Sequence, residues 1–235
     1  MIKSELRGKW ALVTGASRGI GRQITLGLAG YGVNLVLHSR NLEHTSALAA
    51  EVESKGVQVH QTAADLADRS QTDAMLADVQ SAVPGIDILY NNAAIMAPYR
   101  SQWLTVTADD MRLSFEVNVI APIVICNAIL PGMIERKWGR IVNVTSGVKE
   151  QPELTAYAVS KAALDKYVLD TAGRLAKDGV LMNLLDPGWL RTDLGGPNAP
   201  GSVESVLPGA LVPALIADDT SGVLFRAQEY FGQII

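Results

Sequence analysis

The chain has 235 residues, 48% of them hydrophobic and 19% charged, with a formal net charge of -4. That is the composition of a folded globular protein; it excludes a disordered chain, and the absence of any basic block speaks against a nucleic-acid partner. A single cysteine, Cys126, excludes an intrachain disulfide and a cysteine-based metal cluster.

Strand-like and helix-like segments alternate along the chain. Residues 11–13 read as a buried strand and 20–31 as a helix with Ile24 and Leu28 on one face. Strands are expected at 34–38, 57–63, 86–90, 140–144 and 180–185. Helices are expected at 42–55, 70–83 and 156–177, with a long interrupted helix from 107 to about 132. The strands are short, continuous apolar runs, as in a parallel sheet covered on both faces. Residues 195–201 hold three Gly and two Pro and read as a mobile surface loop. A helix over 203–215 and a last strand near Leu224 follow. No composition break divides the chain, which reads as one domain, 1–235.

Residues 1–10 show no apolar leader core and no small-residue cleavage site. The most apolar stretch, 117–134, is interrupted by Asn118, Pro122, Asn127 and Pro131, which speaks against a lipid-spanning helix. The expectation is a cytoplasmic protein with no membrane partner and, since His38, His44 and His60 lack ligand-like spacing, no metal. Cys126 reads as a buried, inert thiol and Tyr167 as surface or interface.

Between the first strand and first helix stands Thr14-Gly-Ala-Ser-Arg-Gly-Ile-Gly21. Gly15 permits a tight turn, Gly19 a close backbone approach, and Gly21 close helix-sheet packing. The helix N-terminus then offers free N–H groups to phosphates. With this turn go Asp65-Leu66, Asn91-Asn-Ala-Ala94, Asn118, Ser146, Tyr157-Ala-Val-Ser-Lys161 and Pro187-Gly188. Together these motifs resemble the short-chain dehydrogenase/reductase family in its compact form. The resemblance covers nearly the whole chain. It implies an α/β Rossmann fold, a doubly wound parallel sheet of about seven strands in the order 3-2-1-4-5-6-7.

The resemblance implies a nicotinamide cofactor. Its contacts would come from Gly15, Ser17, Arg18, Gly19, Ile20 and Gly21 at the turn, and from Ser39 and Arg40 after the second strand. Asp65 and Leu66, then Asn92, Ala93 and Ala94, follow the next two strands. Tyr157, Lys161, Pro187, Gly188, Leu190 and Thr192 complete the set. The second strand ends His38-Ser-Arg-Asn41, with no carboxylate before Glu43. An acid there would bond a ribose 2′-OH; Arg40 and Arg18 suit a 2′-phosphate instead, so NADP(H) is expected over NAD(H).

The catalytic set is Asn118, Ser146, Tyr157 and Lys161. Tyr157 and Lys161 are four apart on a helix and so share a face. A free phenol titrates near about 10, and a nearby ammonium is expected to draw it down toward the working range. Ser146 would hydrogen-bond the substrate oxygen. Pro122 has no N–H, so the Asn118 carbonyl keeps no helical partner and the helix kinks there; the resemblance implies that this carbonyl holds a water linking the lysine to solvent. The spacing from Ser146 to Tyr157 is shorter than the family pattern, and Ala94 stands where the family usually has glycine.

Residues 96–102, 148–154 and the segment from Trp189 onward are expected to line a substrate pocket, with 195–201 as a lid. The leading function is NADPH-dependent reduction of a ketone or aldehyde, with Tyr157 as proton donor. The alternatives are an NAD-dependent polyol or sugar dehydrogenase and a non-catalytic cofactor sensor. The expected partners are a small-molecule substrate and further copies of the chain, as a homo-oligomer (dimer or tetramer).

Overall fold

A strand buried on both faces sends alternate side chains to opposite cores, and the first strand shows it. In β1 (Trp10–Val13), Ala11 and Val13 join one apolar cluster and Leu12 the other. β4 (Ile88–Asn91) and β5 (Gly139–Val144) divide likewise, Ile88 and Tyr90 against Leu89, and Val142 and Val144 against Ile141. The computed structural model describes residues 6–234. Its sheet is completed by β2 (Asn34–Ser39), β3 (Val59–Ala63), β6 (Val180–Asp186) and β7 (Leu224–Arg226). The order is β3-β2-β1-β4-β5-β6-β7, and every adjacent pair is parallel. This is the doubly wound Rossmann sheet that the sequence implied.

One face is covered by α1 (Gly19–Gly30), α2 (Glu43–Glu53) and the C-terminal turns around Leu211. The other carries α3 (Arg69–Ala82), α5 (Ala121–Glu135) and α6 (Thr155–Leu175). α4 (Ala108–Phe115) leads into α5 through a π-helical turn, Glu116–Ile120. There the Ala121 N–H reaches back five residues, to the Glu116 carbonyl. The expected break near Pro122 is therefore a widened turn just ahead of the proline, which sits in the first turn of α5 where its missing N–H costs nothing.

The C-terminal segment departs from the expected helix over 203–215. It forms 3-10 turns at Val203–Val206 and Gly209–Leu211, then a single turn of helix, α7 (Val212–Leu215). Pro208 and Pro213 interrupt the helical ladder. Close packing also holds the segment down: a Cβ on Gly209 would lie 2.1 Å from the Ala227 carbonyl oxygen. From the sheet, the buried Tyr90 hydroxyl donates to the Ala210 carbonyl at 2.9 Å. Residues 195–201, expected to be mobile, are tied down. Trp189 Nε1 donates to the Gly195 carbonyl, and Arg191 donates to the Ala199 and Pro200 carbonyls. Ala199 is buried. Tyr167 is half-buried and packs against the second core. Cys126 is fully buried, and desolvation pushes its thiol up to about 12.

Gly209→Val should force Ala227 away and cost about 1–3 kcal/mol of overpacking. A thermal melt should show a Tm lower by several degrees; an unchanged Tm would mean the contact yields freely.

Candidate active site

The strand order reverses between β1 and β4, and a cleft of about 940 Å³ opens there at the carboxyl ends of the strands. Its floor is a network of backbone ties. The Thr14 hydroxyl donates to the Tyr90 carbonyl and accepts from the N–H groups of Asn92 and Ala93, both at 3.0 Å. The Asn92 amide donates to the carbonyls of Thr14 (2.8 Å) and Gly15 (3.2 Å). Gly21 must lack a side chain for this: a Cβ there would lie 2.2 Å from the Gly15 oxygen and 2.5 Å from Asn92 Nδ2. Gly15 and Gly19 have φ of +66° and +56°, in the left-handed region.

The turn fits a dinucleotide's phosphates. α1 begins at Arg18 with no side-chain cap and no acid in its first turn, so its leading N–H groups are free for an anion. Residues 15 and 17–21, Ser39, Arg40, Asp65, Leu66, Asn92, Ala93, Ala94 and Thr192 all line the cleft, as expected of cofactor contacts. Pro187, Gly188 and Leu190 do not. Tyr157 and Lys161 stand outside that lining too; the Pro187 carbonyl accepts from Gln228 Nε2, and the Leu190 side chain is buried in the core. Arg18 and Arg40 differ. Arg18 is paired at 2.8 Å with Asp193, both exposed. Arg40 is exposed at the end of β2 and, among the described residues, has no carboxylate within 4 Å.

His38 joins the site, although its spacing to the other histidines carries no ligand pattern. Its ring is buried beneath the glycine turn. Nδ1 accepts from the Gly15 N–H at 3.2 Å, and Nε2 stands 3.1 Å from the Ala64 carbonyl. One partner is a donor and the other an acceptor, so the ring is neutral with its proton on Nε2. Burial holds its pKa down to about 4. The signal was a polar residue closing a wholly buried strand.

Beyond the cleft lining, at the end of β5, lie the residues read as catalytic. Tyr157 and Lys161 are buried on the first turns of α6, and Ser146 follows β5. The Lys161 ammonium donates to the Val144 carbonyl at 2.8 Å and lies 5.9 Å from the Tyr157 ring centre. Burial lowers Lys161 to about 8, opposed by the Asp165 carboxylate. The phenol was expected to be drawn down by the lysine. It is raised instead: burial dominates, the Ser146 hydroxyl opposes, and the Asp186 carboxylate adds to the rise. Lys161 stands beside the ring with its ammonium turned to the Val144 carbonyl, and does not offset the burial of the phenol. The short loop after Ser146 still brings its hydroxyl to the phenol, through a 3-10 turn at Pro152–Leu154.

Asn118 holds this end together through its side chain, a role the sequence did not show. Its Oδ1 accepts from the Ile95 N–H, and its Nδ2 donates to the Ile95 carbonyl and the Ser160 hydroxyl, each at 2.9 Å. Ser160 in turn donates to the Tyr157 carbonyl at 2.7 Å. One amide thus joins the cleft wall to the helix that carries the tyrosine. The two expected pocket walls also meet, the Arg100 N–H donating to the Glu153 carbonyl. Tyr99, Trp103 and Trp189 are exposed around this mouth.

Fold and cleft have the form of a dinucleotide-binding domain of the doubly wound class. The family model for short chain dehydrogenases matches residues 9–201. The chain belongs to the short chain dehydrogenase family. It is 34% identical over 202 residues to a short chain dehydrogenase of Pseudocercospora fijiensis, covering 84% of this chain but spanning only 64% of that relative's length. It is 31% identical to the inactive hydroxysteroid dehydrogenase-like protein 1 of Pongo abelii, over 97% of this chain and 70% of the relative. A solved 3-oxoacyl (acyl-carrier-protein) reductase from Agrobacterium tumefaciens C58 with NADP bound superposes with a TM-score of 0.82 at 29% identity, covering 94% of this chain and 93% of that one.

His38 carries a pH signature. Unfolded, it titrates near about 6.5; folded, it stays neutral down to about 4. Between these values the unfolded chain binds the extra proton, so stability falls as pH drops through this window, by about 3 kcal/mol. Urea melts from pH 7 to 4 should show that loss, and His38→Gln should flatten it; parallel curves for the two proteins would refute the assignment.

Proposed function

We propose that the protein reduces a ketone or aldehyde with NADPH, Tyr157 giving the proton. The observation that carries this reading is the meeting of Ser146, Tyr157 and Lys161 at the end of β5, with the phenol held in its protonated form. The raised phenol is protonated at neutral pH, which suits it to give the proton in the reducing direction. Ser146 would donate to the substrate oxygen and stabilise the charge developing on it. Tyr157 then protonates that oxygen. Lys161, fixed by the Val144 carbonyl, holds a buried positive charge near the forming alkoxide, and reaches the nicotinamide ribose in the reading the resemblance implied. The bound nicotinamide supplies the hydride. Asn118 fixes the placement of Tyr157 through Ser160 and the cleft wall through Ile95.

The glycine turn and the head of α1 would hold the pyrophosphate, with Asp65 and Leu66 beside the adenine and Asn92, Ala93 and Ala94 along the nicotinamide ribose. Arg40, free of a protein carboxylate, is the residue we assign to the 2′-phosphate; Arg18 reaches it only by leaving Asp193. The relative bearing NADP at its matching fold supports this choice. The inactive relative makes the sensor reading worth testing, but Ser146, Tyr157 and Lys161 are all present here.

Titration with NADPH and NADH, followed by a carbonyl panel, tests the whole reading. Turnover with NADPH is expected; binding without turnover on a broad panel would favour the sensor. Tyr157→Phe should lower kcat by orders of magnitude while NADPH binding persists, and near-normal turnover would falsify the mechanism. Arg40→Asp should shift kcat/KM toward NADH by at least about tenfold; an unchanged ratio places the phosphate elsewhere.

A further inference from the structure

Asp186 ends β6 beside the reacting group. β5 and β6 pair with Val144 opposite Leu185, so Asp186 lies level with Thr145 and next to the Ser146 position. Its Oδ1 accepts from the Gly188 N–H at 2.9 Å, which fixes the carboxylate. Its Oδ2 faces Gly147, the residue after Ser146: a Cβ there would lie 2.9 Å away. Only a glycine lets the carboxylate reach so near the Ser146 loop.

Among the described residues no Lys, Arg or His nitrogen lies within 4 Å of this carboxylate. Its cross-strand neighbour Arg226 turns to Glu229 at 3.8 Å. Lys161 is spent on the Val144 carbonyl. From α6, Asp165 adds a second carboxylate, with the Thr145 hydroxyl beside it. The loop charges Lys149 and Glu150 are exposed and of opposite sign. The field of Asp186 is felt at both Tyr157 and Asp165, and it disfavours a further negative charge at either. Around the phenol stand two carboxylates and one ammonium.

We propose that Asp186 sets substrate charge: it accepts a hydrogen bond from a hydroxyl next to the reacting carbonyl and rejects substrates carrying a carboxylate there. This rests on the reductase reading above. The class of substrate is then a neutral hydroxy-ketone or hydroxy-aldehyde. A keto acid would set a second negative charge beside the Asp186 carboxylate at the Ser146 loop, a penalty of roughly 10- to 100-fold.

The test compares hydroxyacetone, pyruvate and 2-butanone under NADPH. Native protein should favour hydroxyacetone over pyruvate in kcat/KM by at least about tenfold. Asp186→Asn should shrink that ratio by at least about tenfold, while Asp186→Glu, which keeps the charge, should hold it within about threefold. A hydroxyacetone/pyruvate ratio that is unmoved by Asp186→Asn, or a native preference for pyruvate, overturns the proposal while 2-butanone turnover leaves the reductase reading standing. If no carbonyl compound oxidises NADPH in any of the three proteins, the reductase reading falls and takes this proposal with it. NADPH titration of each variant confirms that it is folded.

Discussion

The site depends on how closely α1 approaches the first turn of the sheet. The Gly15 carbonyl and the Asn92 amide occupy the volume where any side chain on Gly21 would begin. That contact lets Asn92 hold two carbonyls of the turn, and lets Thr14 gather the backbone after β4. His38 closes the turn from below. One strand crossover thus becomes a rigid cradle, in which the free N–H groups of a helix end face outward. Preorganisation of this kind spares the ordering cost that a flexible phosphate loop would meet on binding.

The catalytic end is built on a different principle. Its charged groups are buried or half-buried, and polar partners restrain it at three points. Lys161 is held by a strand carbonyl, Asp186 by a loop N–H, and the helix carrying Tyr157 by the Asn118–Ser160 relay. Burial alone pushes the phenol toward its neutral form and the lysine toward its neutral form. Both shifts follow from desolvation of a charge. The carboxylates on the same side oppose the second shift and reinforce the first. The balance of these charges, more than any single residue, sets the protonation state of the phenol.

The two halves are joined by the long helical run from α4 to α5. Its π turn places Asn118 where it meets both the cleft wall and α6. A regular helix would rotate that side chain away by the angle of an added residue. The irregularity is therefore what couples cofactor cleft and tyrosine.

Much of this was legible in the sequence. The short apolar runs and the regular alternation of strand and helix are local signals, and with the glycine turn they determined the fold class and the place of the cleft, while the strand order came from the resemblance. Gly15, Gly21 and Asn92 could be read because a turn constrains residue type through near neighbours. The structure alone decided the rest, because it rests on contacts between residues far apart in the chain. His38 works through partners 23 and 26 positions away. The Asn118 amide serves residues 23 and 42 positions away. The expected C-terminal helix yielded to packing against Ala227, and the phenol rose because burial outweighed its hydrogen bond with Ser146. Spacing records which residues can share a helix face or a turn; how deeply a charge is buried, and what else is buried beside it, exists only once the sheet has closed.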